Sequence, residues 1–224
     1  GSEMCIRDRV HFDRVEWHVL PDAATAANAM RAGEMDWWEN PTADLLPMLR
    51  QDPKLNVAQR DVAGYVGCLR FNHLNPPFDN PAIRRALLGA VSQADYMTAV
   101  AGTDPANWNE GVGYFPPVSP LASDAGMAAL TGPRDIAGAR RALAEAGYNG
   151  QKVVLLSPSD FPTLKALADV TADLLRRLGM NLDEQAMDWG SMVQRLPKRD
   201  PVEAGGWSIF CLLYTSPSPR DKRQ

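Results

Sequence analysis

The side chains that most often perform chemistry in proteins are present in this sequence, but without the spacing of a known motif. The histidines, His11, His18 and His73, have no recognisable partner spacing. Three cysteines form no CxxC or Cys/His ligand pair, which argues against a zinc site or a disulfide framework. The sequence lacks GxSxG, HExxH, GxxxxGK[ST] and SxxK motifs, and no GxGxxG follows a strand. We therefore expect a protein that is not an enzyme and that holds no cofactor or metal.

Charge and hydrophobicity argue against two further classes, nucleic-acid-binding proteins and proteins with a membrane-spanning helix. Its 224 residues are 45% hydrophobic and 22% charged, with a formal net charge of −4. An acidic balance without a basic stripe argues against a nucleic-acid partner. No apolar run approaches the roughly 20 residues that a membrane-spanning helix needs. Carboxylates are plentiful, but without a spatial pairing they identify no acid/base site.

Aromatic side chains are the more informative residues. They occur at strand ends, at helix starts and in a glycine-rich loop, positions that commonly border a cleft in an α/β protein. The alternative is that they fill the core. The residues concerned are Trp37, Trp38, Trp108, Tyr114, Phe115, Trp189 and Trp207.

The elements that would position these residues follow from periodicity and end signals. In the first 72 residues, the pattern predicts strands at 14–20, 34–40, 55–61 and 64–72, with an alanine-rich helix ending at Gly33 and a second helix at 43–51. Asn80 and Pro81 then predict a capped helix whose apolar stripe runs from Ile83 to Met97.

The second half of the chain alternates strands and helices. A glycine- and proline-rich tract at 102–126 has little periodicity and predicts a long loop. Helices are predicted at 135–146, 161–180 and 189–195, and strands at 151–158, 181–188 and 205–211. A strand, helix and strand with short connections form a right-handed crossover, so the chain is predicted to be α/β with a parallel strand pair.

Both ends differ from the rest of the chain. The head, residues 1–9, and the tail, residues 212–224, closely resemble translated sequencing-adapter sequence. We expect these segments to be non-native and the remainder to be a piece of a longer protein.

Four segments in a fixed order resemble one protein family. They are "VEWHVLPDAATAANAMRAGEMDW", "LRFNHLNPPFDNPAIRRALLGAVSQADYM", "ARRALAEAGY" and "ADLLRRLGMNLDEQAMDWGSM". Together they resemble the family-5 extracellular solute-binding proteins of ABC importers, the dipeptide, oligopeptide and nickel type. One departure is the stretch 92–95, Ser-Gln-Ala-Asp, where the family usually reads Ile/Val-Asp-Arg.

The resemblance implies a truncated, periplasmic-binding-protein-like two-lobe fold of type II, in the large peptide-binder class. Residues 10–72 would be the C-terminal part of lobe one, leading to a hinge at Phe71 and Asn72. Residues 73–204 would be most of lobe two, and residues 205–211 would begin the return strand.

The resemblance also implies a function, which is capture of a small solute and its delivery to an ABC permease, with a peptide as the expected solute. The protein would be a monomer in the periplasm or at the cell surface. A cytosolic ligand sensor and a hydrolase are the alternatives. The candidate ligand-binding residues, chosen by position, are Trp38, Glu39, Tyr65, Tyr114, Trp189 and Trp207.

Overall fold

The computed structural model describes residues 12–59 and 64–215. The chain divides into two compact units, a first unit of residues 1–58 and a second unit of residues 59–224. The division lies before the predicted hinge, since the strand that leads to Phe71 and Asn72 belongs to the second unit.

The first unit contains two helices among its described residues. Helix α1 (Ala23–Ala32) begins where the Asp22 carboxylate accepts a hydrogen bond from the Thr25 backbone N–H at 2.8 Å, and it ends at Gly33, whose φ of 78° suits a residue without Cβ. Helix α2 (Leu46–Gln51) follows. An Arg31–Asp52 ion pair at 3.1 Å links the end of α1 to the end of α2.

The predictions of strands at 14–20 and 34–40 are wrong, because neither segment forms a strand. The strand predicted at 55–61 is also absent over residues 55–59, and residues 60 and 61 lie outside the described part of the chain. Val15, Trp17 and Val19 are 63%, 89% and 98% exposed. Alternating side chains predict a half-buried strand only if a neighbouring strand accepts its hydrogen bonds. Within the described part of the chain, no strand pairs with these segments.

A four-stranded mixed sheet organises the second unit. Its strands are β1 (Tyr65–Phe71), β2 (Lys152–Pro158), β3 (Asn181–Met187) and β4 (Ile209–Thr215), in the order β1-β4-β2-β3. β2 is parallel to β3 and to β4, while β1 is antiparallel to β4. The predicted parallel pair is therefore confirmed, and β4 continues through Thr215, beyond the end predicted at 211.

The helices of the second unit follow local signals in the sequence, and a short 3₁₀ helix (Pro105–Asn107) lies within the predicted long loop. The predicted helix to Met97 is two helices, because Gly89 has low helix propensity and the Ser92 hydroxyl accepts from the Asp95 N–H to cap a new helix. The α-helices are α3 (Pro81–Leu88), α4 (Gln93–Ala101), α5 (Ala128–Thr131), α6 (Ile136–Glu145), α7 (Pro162–Arg177) and α8 (Trp189–Arg195), and a 3₁₀ turn spans Val202–Ala204.

Both faces of the sheet are covered, but by different elements. On one face, Val153, Leu155 and Ile209 pack against helices α3, α6 and α7. The buried helix residues of this cluster are Ile83, Leu87, Ala139, Leu143, Ala172, Leu174 and Leu175. On the other face, Val154 and Leu156 pack with Phe210 and with helix α8. Beside β1, this second face is left partly open, and Cys68 and Arg70 of β1 line a depression there.

Candidate functional site

The second unit has an open depression of about 660 Å³ at the carboxyl end of β1. Residues 68–73 form one side of it, and Leu196, Trp207 and Phe210 form the other. The antiparallel register places Arg70 opposite Phe210 and Cys68 opposite Leu212, so their side chains share one face of the sheet. A volume of this size suits a small organic solute.

Asn72 fixes the position where β1 leaves the sheet. The side chain is only 5% exposed. Its amide N–H donates to the Trp207 carbonyl at 2.9 Å, and its amide oxygen accepts from the Leu74 backbone N–H at 3.0 Å. The Asn72 backbone N–H also donates to the Ser208 carbonyl at 2.9 Å. Two of these hydrogen bonds join the exit of β1 to the entry of β4, and the third fixes the turn that follows β1.

Trp207 is held from two sides. Its indole N–H donates to the Leu196 carbonyl at 3.1 Å, and its ring meets Phe210 edge to face with centroids 5.1 Å apart. Trp207 is 8% exposed, so most of the ring belongs to the apolar cluster on this face and only a small part reaches the depression.

The loop before Trp207 is positioned by Arg195. Its guanidinium donates to the carbonyls of Gly205 and Gly206 at 3.0 and 2.9 Å, and a further N–H donates to the Gln185 side chain. A Cβ on Gly206 would lie 1.9 Å from the Asp200 carbonyl oxygen, so only glycine fits. These contacts fix the backbone of Gly205 and Gly206 just before the chain enters β4.

Neither described cysteine is activated as a nucleophile. Burial raises the pKa of the Cys68 thiol, although the nearby Arg70 charge opposes this. Burial also raises the pKa of Cys211 to about 12. Reactive cysteines have lowered pKa values, so these thiols fit a structural role. Among the described residues, no group of three or more His, Cys, Asp or Glu side chains could hold a metal ion.

The structure brings three of the predicted residues together. Phe71, Asn72 and Trp207 all line the depression, and the Phe71 ring also contacts Phe78, with centroids 4.7 Å apart. Their roles in a hinge or in ligand binding stay predictions.

Three other candidates in the second unit lie elsewhere. Tyr65 is at the opposite end of β1, and Tyr114 is 73% exposed in the loop before α5, with its ring edge to face against Phe115 at 5.0 Å. Trp189 begins α8, where its ring contacts Phe161 at 5.8 Å. None of the three lines the depression.

The remaining two candidates are in the first unit. Trp38 is half-buried and Glu39 is exposed, and both lie in an irregular segment rather than at the end of the predicted strand. The adjacent Asn40 has a φ of 57°, which turns the chain there.

Arg70, Leu196 and Phe210 line the depression but are not among the candidates predicted from the sequence. Alternation within β1 could have placed Cys68, Arg70 and Asn72 on one face, opposite Leu69 and Phe71. The other side of the depression could not be found in this way, because it depends on the pairing of β1 with a strand about 140 residues later.

A family model described as bacterial extracellular solute-binding proteins, family 5 Middle, matches residues 6–221. The chain belongs to this family. The match extends into residues 1–9 and 212–224, the two segments that are predicted to be non-native.

Two curated relatives are binding proteins by name, and one of them is named as part of an ABC transporter. The chain is 36% identical over 212 residues to a probable peptide ABC transporter periplasmic-binding protein, y4tO, of Sinorhizobium fredii, covering 90% of this chain and 38% of the relative. It is 28% identical over 215 residues to heme-binding protein A of Haemophilus influenzae, covering 90% of this chain and 37% of the relative. The chain thus spans well under half of these relatives.

Solved structures confirm the predicted α/β fold class of periplasmic binding proteins. The dipeptide-binding protein of Pseudoalteromonas sp. SM9913, in complex with Met-Leu, matches with a TM-score of 0.64 and 25% identity over 90% of this chain and 38% of its own. AgaA of A. tumefaciens R10, in complex with agropinic acid, matches with a TM-score of 0.68 and 23% identity over 87% of this chain and 37% of its own. This chain therefore contains a part of that fold.

No helix among the described residues is long and apolar enough to cross a membrane.

Proposed function

We propose that the chain is part of the substrate-binding component of an ABC importer, which captures a small peptide between two lobes and delivers it to a membrane permease. Membership of the family-5 solute-binding proteins carries this proposal. The name of the y4tO relative supports the peptide class and the transport role. We further propose that the full protein acts as a monomer in the periplasm or at the cell surface.

The depression at the end of β1 supports a binding role rather than a chemical one. Its walls combine apolar side chains with a few polar groups, as binding sites for small organic ligands commonly do. Trp207 contributes from the β4 side. The other proposed ligand contacts of this chain are not among the described residues that line the depression, and we propose that they meet the ligand in the complete two-lobe protein; they are Trp38, Glu39, Tyr65, Tyr114 and Trp189. Nothing in this proposal requires a cofactor.

Phe71 and Asn72 are proposed to lie at the crossing between the lobes. In this arrangement residues 10–72 form the C-terminal part of lobe one, residues 73–204 form most of lobe two, and residues 205–211 begin the return. The hydrogen bonds of the Asn72 side chain to Trp207 and Leu74 support such a crossing, because they fix where the chain leaves the sheet. A few neighbouring residues would then absorb any hinge rotation.

The proposal is tested by incubating the 224-residue chain with a mixed pool of dipeptides and tripeptides. Native mass spectrometry then records which peptides remain bound, and the pool is analysed afterwards for cleavage. We expect a set of intact peptides bound one to one to the monomer. Retention of no peptide would contradict the peptide-binding proposal, and release of cleaved products would favour the hydrolase alternative.

A further inference from the structure

Arg70 is the only cationic side chain with a permanent charge among the described residues that line the depression. Its guanidinium donates one hydrogen bond to the Tyr214 hydroxyl, a neutral partner. Within residues 12–59 and 64–215, no carboxylate pairs with it, whereas Arg31, Arg134 and Arg176 each pair with one. A guanidinium has five N–H donors, so several of them remain to bind an acceptor from solution.

The surroundings of Arg70 favour an anion. None of the described residues that line the depression is acidic, so a ligand's ammonium group would meet no counter-charge there. The planar guanidinium matches the two oxygens of a carboxylate and forms paired, charge-assisted hydrogen bonds with it.

An apolar wall lies directly beside this charge. Arg70 faces Phe210 across the β1–β4 pair, and Leu196 borders the same depression. A ligand that places a carboxylate on Arg70 therefore sets its adjoining carbon atoms against an aromatic ring and an aliphatic side chain. Burial of that apolar part adds to the binding free energy at about 25 cal/mol per Å² before ordering costs.

We propose that Arg70 determines specificity by binding a carboxylate of the solute, with Phe210 and Leu196 contacting the apolar group next to it. The ligand class is a small amphipathic carboxylate, which in a peptide is the C-terminal carboxylate or an acidic side chain. This inference rests on the proposed solute-binding function.

The test compares acids with their amides. Isothermal titration calorimetry on the 224-residue chain uses Ala-Phe and Ala-Phe amide, together with Ala-Glu amide, which carries only a side-chain carboxylate. The same comparison is made with 3-phenylpropanoate and 3-phenylpropanamide, which contain no peptide bond. The variants are Arg70→Gln and Arg70→Lys, with Arg85→Gln on the exposed face of α3 as a control that removes the same charge.

We expect the unmodified chain to bind acids about 10- to 100-fold more tightly than the matched amides, as charge-assisted hydrogen bonds imply. Arg70→Gln should remove this preference, Arg70→Lys should keep part of it, and Arg85→Gln should keep all of it. Stronger binding of Ala-Phe would identify the C-terminal carboxylate, and stronger binding of Ala-Glu amide would identify the side chain.

Equal affinity for acids and amides in the unmodified chain would overturn the inference, and this comparison does not depend on whether a variant folds. A preference that survives Arg70→Gln would also overturn it. If 3-phenylpropanoate binds through Arg70 while no peptide binds, the inference stands and the peptide proposal fails. If no probe binds at all, both fail.

Discussion

Replacement of Asn72 by alanine should strongly destabilise the second unit. The substitution removes both side-chain hydrogen bonds, the one donated to the Trp207 carbonyl at 2.9 Å and the one accepted from the Leu74 N–H at 3.0 Å. Because Asn72 is only 5% exposed, water cannot readily replace the lost amide. The backbone bond from Asn72 to Ser208 would remain, so β1 and β4 should stay paired.

The size of the effect follows from the two partners that are left behind. A buried polar group that loses its partner costs about 1–3 kcal/mol. The Trp207 carbonyl is the more enclosed of the two partners, while the Leu74 N–H belongs to an exposed turn and can recover a bond to water. We therefore expect the free energy of unfolding to fall by about 2–4 kcal/mol.

The assay is urea unfolding of the Asn72→Ala chain, followed by tryptophan fluorescence and far-UV circular dichroism. Asn109→Ala is the matched control, because Asn109 is exposed, and its substitution should change stability by less than about 0.5 kcal/mol. Equal midpoints for the Asn72 and Asn109 variants would refute the role assigned to Asn72.

A second substitution, Asn72→Asp, separates the two hydrogen bonds. The introduced carboxylate can still accept from Leu74, but its other oxygen would face the Trp207 carbonyl. We expect the pKa of this carboxyl to be raised in the folded state, so that the variant's deficit relative to the natural chain shrinks as the pH falls from 7 toward the ordinary aspartate value of about 3.9. A deficit independent of pH would contradict this geometry.

Three further predictions concern the framework around the site. Gly206→Ala should lower the free energy of unfolding by about 2–4 kcal/mol, because its Cβ would collide with the backbone at Asp200. Gly89→Ala is the control, because a Cβ there meets open space and should leave stability unchanged or slightly raised. Urea unfolding midpoints of the two variants measure the difference. A hydrogen bond from Lys152 lowers the pKa of Asp183, so the stability that this pair provides should be present above pH 4 and lost below it. Lys152→Met should abolish that part of the pH dependence, an effect under about 1 kcal/mol for so exposed a pair. Hydrogen exchange should be faster in the first unit than in the sheet, since few of its apolar side chains are buried, and equal protection would contradict this.

The sequence predicted the elements whose signals are local. Asn80 caps helix α3 as expected, and Ile83 and Leu87 of its apolar stripe are buried. In each case the deciding interaction lies within one or two helical turns. The fold class followed from the alternation of such elements and from the family resemblance.

The sequence could not predict features that depend on distant partners. The alternation around Trp17 is real, but a strand forms only beside another strand, and the described residues offer none there. The depression likewise requires Arg70 and Phe210 to meet across β1 and β4. Aromatic residues chosen by position, such as Tyr114 and Trp189, do not line it, because strand ends and helix starts lie on several sides of the sheet.

The central claim is that the depression at the carboxyl end of β1 binds a peptide. The most direct test is to record ¹H–¹⁵N correlation spectra during a titration with Ala-Phe. The chain has six tryptophans, and a Trp207→Phe variant assigns the indole signal of Trp207. We predict saturable shifts of the Trp207 indole N–H and the Asn72 side-chain amide, with the exposed Trp17 indole unchanged. Saturable shifts elsewhere that leave Trp207 and Asn72 unmoved would contradict the account.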